Sequence, residues 1–198
     1  YSLQGGDGTF EVNQMSSGGG VIFLGDSNER VDFETSPTFD LVVVASDAAG
    51  NSQTQTIVVS LEDVNETPYY QGSEENSREN PVTLSVAEDA QAGNELGIVP
   101  FADVDFADNP NMLTFALTGG ENKLFAVRNN GVNLAAVSLA TSFSLDFEAK
   151  SRYDLTLTAT DQEGLAFKVQ VVIVSVDVDE SPVFSQNSIN LFVDENSK

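Results

Sequence analysis

Acidic residues recur at matching positions in two parts of this sequence. The segment at 31–50 reads "VDFETSPTFDLVVVASDAAG" and aligns without a gap on 145–164, "LDFEAKSRYDLTLTATDQEG", an offset of 145 - 31 = 114 residues. The same offset relates Asp63 to Asp177. Clustered carboxylate oxygens are the ligands that a hard divalent ion such as Ca²⁺ prefers. The repeated acids therefore predict calcium binding at sites that recur with the scaffold.

The composition narrows the possible partners and chemistry. The 198 residues include 31 Asp and Glu against 8 Lys and Arg, a formal net charge of -23. Nucleic acids and anionic membranes attract positive charge, so neither is expected as a partner, whereas a cation is. The sequence has no His and no Cys, which excludes disulfides, zinc fingers, thiol catalysis and imidazole catalysis. No apolar run approaches the roughly 18 residues of a membrane span, so we expect no direct membrane insertion.

The offset also predicts how the chain is divided into units. We expect the later part of a first unit at 1–67, a linker with an insertion at 68–81, a complete second unit at 82–181, and a linker with the opening strand of a third unit at 182–198. The insertion follows from spacing, because Pro68 to Val86 spans 18 positions where the equivalent Pro182 to Val193 spans 11. These 18 - 11 = 7 extra residues would tend to move the acids of the second unit away from Asp63.

Short apolar segments separated by turn residues predict strands throughout the second unit. We place them at 82–88, 95–101, 112–117, 123–127, 132–137, 153–160 and 166–176. Tyr153, Leu155, Leu157 and Ala159 alternate with polar residues, which is the pattern of a half-buried strand. No segment has a sustained helical period. Seven short strands in about 100 residues indicate an all-β fold of tandem seven-stranded antiparallel Greek-key β-sandwiches with immunoglobulin-like architecture.

The acids lie at the same strand ends in both units. If each sandwich stands upright, alternate turns lie at opposite ends, so carboxylates at the bottom of one unit meet those at the top of the next. A further pair, Asp103 and Asp105, follows the second strand of the complete unit. The recurring positions are Asp32 and Glu34 with Asp146 and Glu148, Asp47 with Asp161, and Asp63 and Glu66 with Asp177, Asp179 and Glu180.

These motifs together resemble the cadherin repeat. The family has an opening x-E-x, a DxD turn, an L-D-R-E motif, an A-x-D-x-G turn and a closing D-x-N-D-N-x-P linker. This chain has "AED" with Glu88, "DVD", "VDFE" and "LDFE", "ASDAAG" and "ATDQEG", and "DVNETP" and "DVDESP". Phe replaces the Arg of L-D-R-E. The closing linkers are one residue shorter than the family's, with Glu for the second Asp, which resembles the bacterial cadherin-like repeats of large surface adhesins.

The resemblance implies that Ca²⁺ at the linkers stiffens a rod of domains in a cell-adhesion or surface-adhesin protein. It implies a first ligand set of Asp32, Glu34, Asp63, Asn65, Glu66, Asp103, Asp105 and Asp161, completed by the backbone carbonyls of Val64 and Asn111. It implies a second set of Glu88, Asp146, Glu148, Asp177, Asp179 and Glu180. The expected partners are calcium, other cadherin-like repeats, another cell surface or an extracellular polysaccharide, and the expected location is extracellular or at the cell surface.

Other interpretations remain open from the residues alone. One is a calcium-dependent carbohydrate-binding or spacer module of a secreted polysaccharide-processing protein. Catalysis is not expected, because the paired acids repeat with the scaffold whereas a glycosidase needs one cleft with two distinct carboxylates. Asp47 is expected to face a junction outside this chain. Asn65 also stands in an Asn-Glu-Thr acceptor sequence for glycosylation, although the resemblance gives it a ligand role.

Overall fold

The computed structural model describes residues 1–25, 31–72, 80–105, 113–140 and 145–182, together with positions 188, 192 and 195. The described residues form strands and two short 3-10 turns, Gly6–Gly8 and Asn122–Leu124. No helix among them is long and apolar enough to cross a bilayer. The strands are β1 Ser2–Gln4, β2 Phe10–Gln14, β3 Gly20–Leu24, β4 Thr38–Ser46, β5 Ser52–Ser60, β6 Tyr69–Tyr70, β7 Val82–Ala87, β8 Glu95–Ala102, β9 Thr114–Gly119, β10 Phe125–Asn129, β11 Leu134–Leu139, β12 Arg152–Thr160 and β13 Ala166–Val176.

Strands β6 to β13 form two four-stranded sheets with a shared core. One sheet has the order β10-β11-β8-β6 and the other β7-β13-β12-β9. Val99, Phe101 and Val137 of the first sheet lie in one buried cluster with Leu157 and Val171 of the second. The prediction of an all-β sandwich is confirmed. The pairing of β7 with β13 is parallel, which the prediction of an antiparallel sandwich did not include.

The alternation read from the sequence is present in β12. Tyr153, Leu155, Leu157 and Ala159 are all buried, whereas Asp154 between them is exposed. Successive side chains of a strand point to opposite faces, so this strand contributes one face to the core. The apolar run of β13 is explained by its position, because β13 lies between β12 and β7 inside its sheet.

The 114-residue offset is preserved in the strand pairing. Leu41 pairs with Ile57 between β4 and β5, and Leu155 pairs with Val171 between β12 and β13. The repeated turn glycines have a steric reason. A Cβ at Gly5 would lie 2.6 Å from the Asp40 carbonyl oxygen, and a Cβ at Gly119 would lie 2.8 Å from the matching oxygen of Asp154. Both glycines have positive φ, 86° and 137°, which other residues rarely adopt.

Some predicted boundaries differ from the observed ones. The strand predicted at 123–127 is found at Phe125–Asn129, because the 3-10 turn Asn122–Leu124 occupies its first residues. The strand predicted at 112–117 is described at Thr114–Gly119, and its first position lies outside the described residues. The predicted opening strand of a third unit lies almost entirely outside them.

Strand β6 lies within the segment that the sequence assigned to the linker. Tyr69 pairs with Ala102 and Tyr70 with Phe101 of β8. The rings of Tyr70 and Phe101 also pack edge to face, with centroids 6.3 Å apart. The opening strand of the sandwich is therefore split, with β6 in one sheet and β7 in the other. The chain joins the second unit at β6, before the extra residues of the insertion.

Candidate metal centre between the two units

Three segments bring polar side chains to the junction. Residues 61–68 follow β5 directly, the Asp103 turn directly follows β8, and Asp161 directly follows β12. Because β6 pairs with the end of β8, the segment before β6 is held against the Asp103 turn. The insertion comes later in the chain, so the seven extra residues do not separate the acids of the second unit from Asp63, contrary to what the linker length suggested.

Hydrogen bonds cross the junction at two points. The Asn65 side-chain amide donates to Asp161 Oδ2 at 2.9 Å. The Glu66 backbone N–H donates to Asp105 Oδ2 at 2.9 Å. The Asp105 N–H in turn donates to Asp103 Oδ1 at 3.2 Å. These bonds use the amide nitrogen of Asn65, Oδ1 of Asp103 and Oδ2 of Asp105, and so fix the orientation of the other oxygen of each side chain.

The remaining oxygens are buried and have no hydrogen-bond partner. They are Asn65 Oδ1, Asp103 Oδ2 and Asp105 Oδ1. Asp103 is 2% exposed, so water has little access to its carboxylate. Buried acceptors without a partner are costly, and native proteins satisfy nearly all of them. A Ca²⁺ ion binds six to eight such oxygens, so this donor set fits the ion that the sequence predicts.

Further carboxylates adjoin these residues. Glu34, Asp63 and Asp105 each offer an oxygen, and these oxygens lie within 4.8 Å of one another. We call the set Glu34, Asp63, Asn65, Glu66, Asp103, Asp105 and Asp161 the junction cluster. Like charges at this distance repel, and only a cation or a proton relieves the repulsion.

The pKa values of the junction cluster are shifted by this crowding. The backbone N–H of Glu34 lowers the pKa of its own carboxyl, but desolvation and the carboxylates of Asp32, Asp63 and Asp105 outweigh it, so the pKa is raised. Desolvation raises the pKa of Glu66, and the carboxylates of Asp105, Glu34 and Asp63 add to the effect. The negative charges are therefore under-compensated in the protein without metal.

Asp103 and Asp161 are the buried acids of the cluster, and their pKa values move in opposite directions. Desolvation raises the pKa of Asp103 to about 6, with further contributions from the carboxylates of Asp105 and Asp161 that exceed the effect of the Asp105 N–H. Burial also raises the pKa of Asp161, but hydrogen bonds from Asn65, Leu165 and Gly164 outweigh it and lower the pKa. Asp161 is thus stabilised as an anion by donors, whereas Asp103 lacks enough of them.

Asp32, which the resemblance placed in the first ligand set, has local partners. Its Oδ1 accepts the Thr35 backbone N–H at 3.1 Å, and its Oδ2 accepts the Thr35 hydroxyl at 3.0 Å. These bonds lower the pKa of Asp32. It does not belong to the group of three acids within 4.8 Å. Sequence reasoning did not consider Thr35, although an Asp followed three residues later by Thr signals such a local bond. The carbonyl of Asn111 lies outside the described residues.

A second group of acids surrounds Glu88, which is 4% exposed. Its Oε2 accepts the Phe147 N–H at 2.7 Å and its Oε1 accepts the Val178 N–H at 2.7 Å. Ligand oxygens of Glu88, Asp146 and Glu148 lie within 4.8 Å of one another, as do those of Glu88, Asp177 and Glu180. We call these five acids the Glu88 cluster. Asp179 is exposed and belongs to neither group.

Four acids of the Glu88 cluster line an open cleft of about 660 Å³, namely Glu88, Asp146, Glu148 and Glu180. Desolvation raises the pKa of Glu180, and the carboxylates of Glu88, Glu148 and Asp177 raise it further. The cleft lies beside the residues that follow β13, so it is at the opposite end of the second unit from Asp103 and Asp161. One unit therefore carries acids at both ends, as the sequence predicted from the strand polarity.

Comparisons with known proteins agree with this architecture. A family model for the cadherin domain matches residues 82–179. Cadherin-5 of Bos taurus is 28% identical over 211 residues, which cover 100% of this chain and 25% of that protein. Protocadherin-15 of Mus musculus is 29% identical over 206 residues, which cover 99% of this chain and 9% of that protein. The chain thus spans a quarter or less of these relatives.

Solved structures of cadherin domains have the same fold. The extracellular cadherin domains 3-6 of Protocadherin Gamma B2 match with a TM-score of 0.65 and 24% identity, over 94% of this chain and 42% of that one. The EC1-2 structure of chicken VE-cadherin matches with a TM-score of 0.53 and 22% identity, over 89% of this chain and 83% of that one.

The chain belongs to the cadherin family, a family of extracellular, adhesion-related repeats. The predicted family and the extracellular location are confirmed. Cadherin domains generally bind Ca²⁺ and the family is not enzymatic. The comparisons do not support a polysaccharide partner. The resemblance to bacterial adhesins remains a prediction, because the relatives given above with a source are from Bos taurus, Mus musculus and chicken.

Proposed function

We propose that this chain is a calcium-dependent adhesion segment in which Ca²⁺ at the junction between two cadherin units makes a flexible joint stiff. One observation carries the proposal: Asn65 of the segment after β5, and Asp103 and Asp105 of the turn after β8, each leave a buried oxygen without a hydrogen-bond partner. These oxygens come from both sides of the junction. A ligand that satisfies all of them ties the two units together.

The chain's own residues supply a reason for flexibility without metal. The first ligand set includes seven carboxylates, Asp32, Glu34, Asp63, Glu66, Asp103, Asp105 and Asp161, a local charge of -7. Two unit charges about 4 Å apart repel by roughly 1 to 4 kcal/mol at effective dielectrics of about 80 to 20. When bound, Ca²⁺ supplies positive charge and shared coordination to oxygens of both units. Without it, the hydrogen bonds from Asn65 and Glu66 are left to oppose the repulsion.

The proposal extends to the organisation of the chain. Residues 1–67 would be the later part of one repeat, 82–181 a complete repeat and 182–198 the beginning of a further junction, with 68–81 between the first two. The Glu88 cluster would then serve the junction that follows the second unit. We keep Asp179 in that ligand set and Asp32 in the first one, as ligands that would turn towards the ion from their present positions.

The proposed partners are other cadherin units. One solved relative is a cis-dimer of Protocadherin gammaB7 EC3-6, which matches this chain with a TM-score of 0.64. By analogy we propose that this chain also acts through contacts between cadherin repeats, with calcium as its ligand and without an enzymatic activity.

Calcium titration and solution scattering test this function. Isothermal titration should give a heat of binding, with affinity in the range of about 0.1 to 1 mM that is typical of extracellular modules. Small-angle scattering should give a larger maximum dimension and a narrower distribution of shapes in calcium than in EGTA. The matched control is Asp40→Asn, which removes an exposed acid on β4 and should leave both results unchanged. No heat and identical scattering in the two buffers would refute the proposal.

A further inference from the structure

The two A-x-D-x-x-G turns are closed by the same backbone hydrogen bond. The Asp47 N–H donates to the Asn51 carbonyl at 2.9 Å, and the Asp161 N–H donates to the Leu165 carbonyl at 3.0 Å. Oδ1 of each Asp accepts two backbone N–H groups of its own turn, at distances from 2.6 to 2.9 Å. Positions 51 and 165 are 114 residues apart, so they occupy equivalent places.

The two turns differ in the partner of the second carboxylate oxygen. The Asn51 side-chain amide donates to Asp47 Oδ2 at 2.7 Å, within the same turn. Leu165 has no donor in its side chain. Asp161 Oδ2 instead accepts the Asn65 amide from across the junction at 2.9 Å. Asp161 is 5% exposed, with the Asn65 side chain of the neighbouring unit bonded to it.

We propose that Asn51 is an internal cap that withholds Asp47 from cations, and that Leu165 leaves Asp161 open to the neighbouring unit. The residue four positions after the turn Asp would then select which ends of cadherin units form metal-bridged junctions. The part that concerns Asp161 rests on the function proposed above. The end of the first unit at Asp47 is accordingly a poor place for a calcium-bridged joint.

The physical basis is competition for one oxygen. A cation at Asp47 must displace the Asn51 amide, and a hydrogen bond to a charged acceptor is stronger than a neutral one. Losing a bond of this kind corresponds to roughly a tenfold weaker affinity. The leucine at the equivalent position has no amide to offer, so Asp161 Oδ2 is bonded instead to Asn65, which belongs to the neighbouring unit and carries a free buried oxygen of its own.

The variant Leu165→Asn tests the inference at the junction. We expect the new amide to occupy Asp161 Oδ2 and displace Asn65, which weakens calcium binding by about three- to tenfold in isothermal titration. In EGTA, the side-chain amide protons of Asn65 should exchange faster with solvent by NMR. Leu165 is 39% exposed, so the fold should tolerate the change. The matched control is Leu24→Asn, at a leucine that is 56% exposed.

The two readouts separate the inference from the proposed function. If the wild-type chain binds calcium and Leu165→Asn binds it equally well with unchanged Asn65 exchange, the inference is wrong and the proposed function stands. If the wild-type chain does not bind calcium, the proposed function is wrong. Exchange of the Asn65 amide in EGTA then still decides whether position 165 controls access to Asp161.

The variant Asn51→Leu tests the same idea at the other turn, with Mn²⁺ as a paramagnetic probe of cation access. In the wild-type chain, Mn²⁺ should broaden the amide signals of 63–66 well before those of 47–51. In Asn51→Leu, the signals of 47–51 should broaden at a Mn²⁺ concentration several-fold lower. Gln55→Leu, which replaces an exposed amide on the strand that follows Asn51, β5, should behave as wild type. Identical profiles in Asn51→Leu and wild type would overturn the assignment of Asn51 as a cap.

Discussion

The junction cluster and the Glu88 cluster contain similar acids but differ in what satisfies them. Both oxygens of Glu88 accept backbone N–H groups of its own unit, at 2.7 Å each. In the junction cluster, by contrast, Asn65, Asp103 and Asp105 each use one oxygen or amide to orient the side chain and leave a buried oxygen without a partner. A single unit can therefore stabilise the Glu88 carboxylate by itself, whereas the junction cluster needs a ligand.

An acid in a family motif can therefore have two separable roles. Glu88 ties the end of β7 to the loops at Phe147 and Val178, and this role does not depend on metal. Asp103 has a raised pKa of about 6, chiefly through desolvation, which indicates that its charge is poorly compensated without a cation. Removing these two carboxylates should accordingly have opposite effects on the calcium-free protein.

The largest effect is expected for Glu88→Ala. The change leaves the N–H groups of Phe147 and Val178 without acceptors, and two hydrogen bonds to a charged group together contribute about 3 kcal/mol. We expect the free energy of unfolding in EGTA to fall by about that amount, as measured by urea denaturation. Asp89→Ala, at the exposed neighbouring acid, is the control. A loss that appears only in calcium would contradict a metal-independent role for Glu88.

The next effect is expected for Asp103→Asn, and its sign should depend on calcium. Loss of a carboxylate from the junction cluster should weaken calcium binding by about 10- to 100-fold, as is typical for groups that support a metal site. In EGTA the same change removes an under-compensated buried charge, so the melting temperature should stay equal or rise. Calorimetry and thermal unfolding in both buffers measure this. A lower melting temperature in EGTA would mean that Asp103 is already satisfied by the protein.

The smallest effect is expected for Asn65→Ala. The variant loses the amide bond to Asp161 and one free oxygen, and such a hydrogen bond contributes about 1 kcal/mol. Calcium affinity should therefore fall by about fivefold, and scattering in EGTA should show a wider range of shapes. The stability of the second unit should not change, because Asn65 lies outside its core. Equal affinity in wild type and variant would show that the cross-junction bond does not prepare the site.

Parts of the fold were predictable because they depend on local patterns. The alternation of Tyr153 and Leu155 indicated a half-buried strand, and both side chains are buried. Strand β6 was not predictable, since two tyrosines carry no period and their pairing with β8 depends on contacts between distant residues. The parallel pairing of β7 with β13 has the same origin. The local sequence indicates that a strand forms, whereas the strand with which it pairs depends on contacts across the whole sheet.

The candidate site, like the fold, was predictable from the sequence only in part. The offset of 114 residues shows which acids recur, because repeated units place equivalent residues at equivalent strand ends. The approach of Asp63 to Asp105 across a lengthened linker, by contrast, depends on tertiary contacts. The tertiary structure also shows that Asp32 is bonded to Thr35 while Asp103 keeps a free buried oxygen. The physical reason is that burial and hydrogen-bond satisfaction depend on what β6 and β8 bring together in space, which no spacing along the chain records.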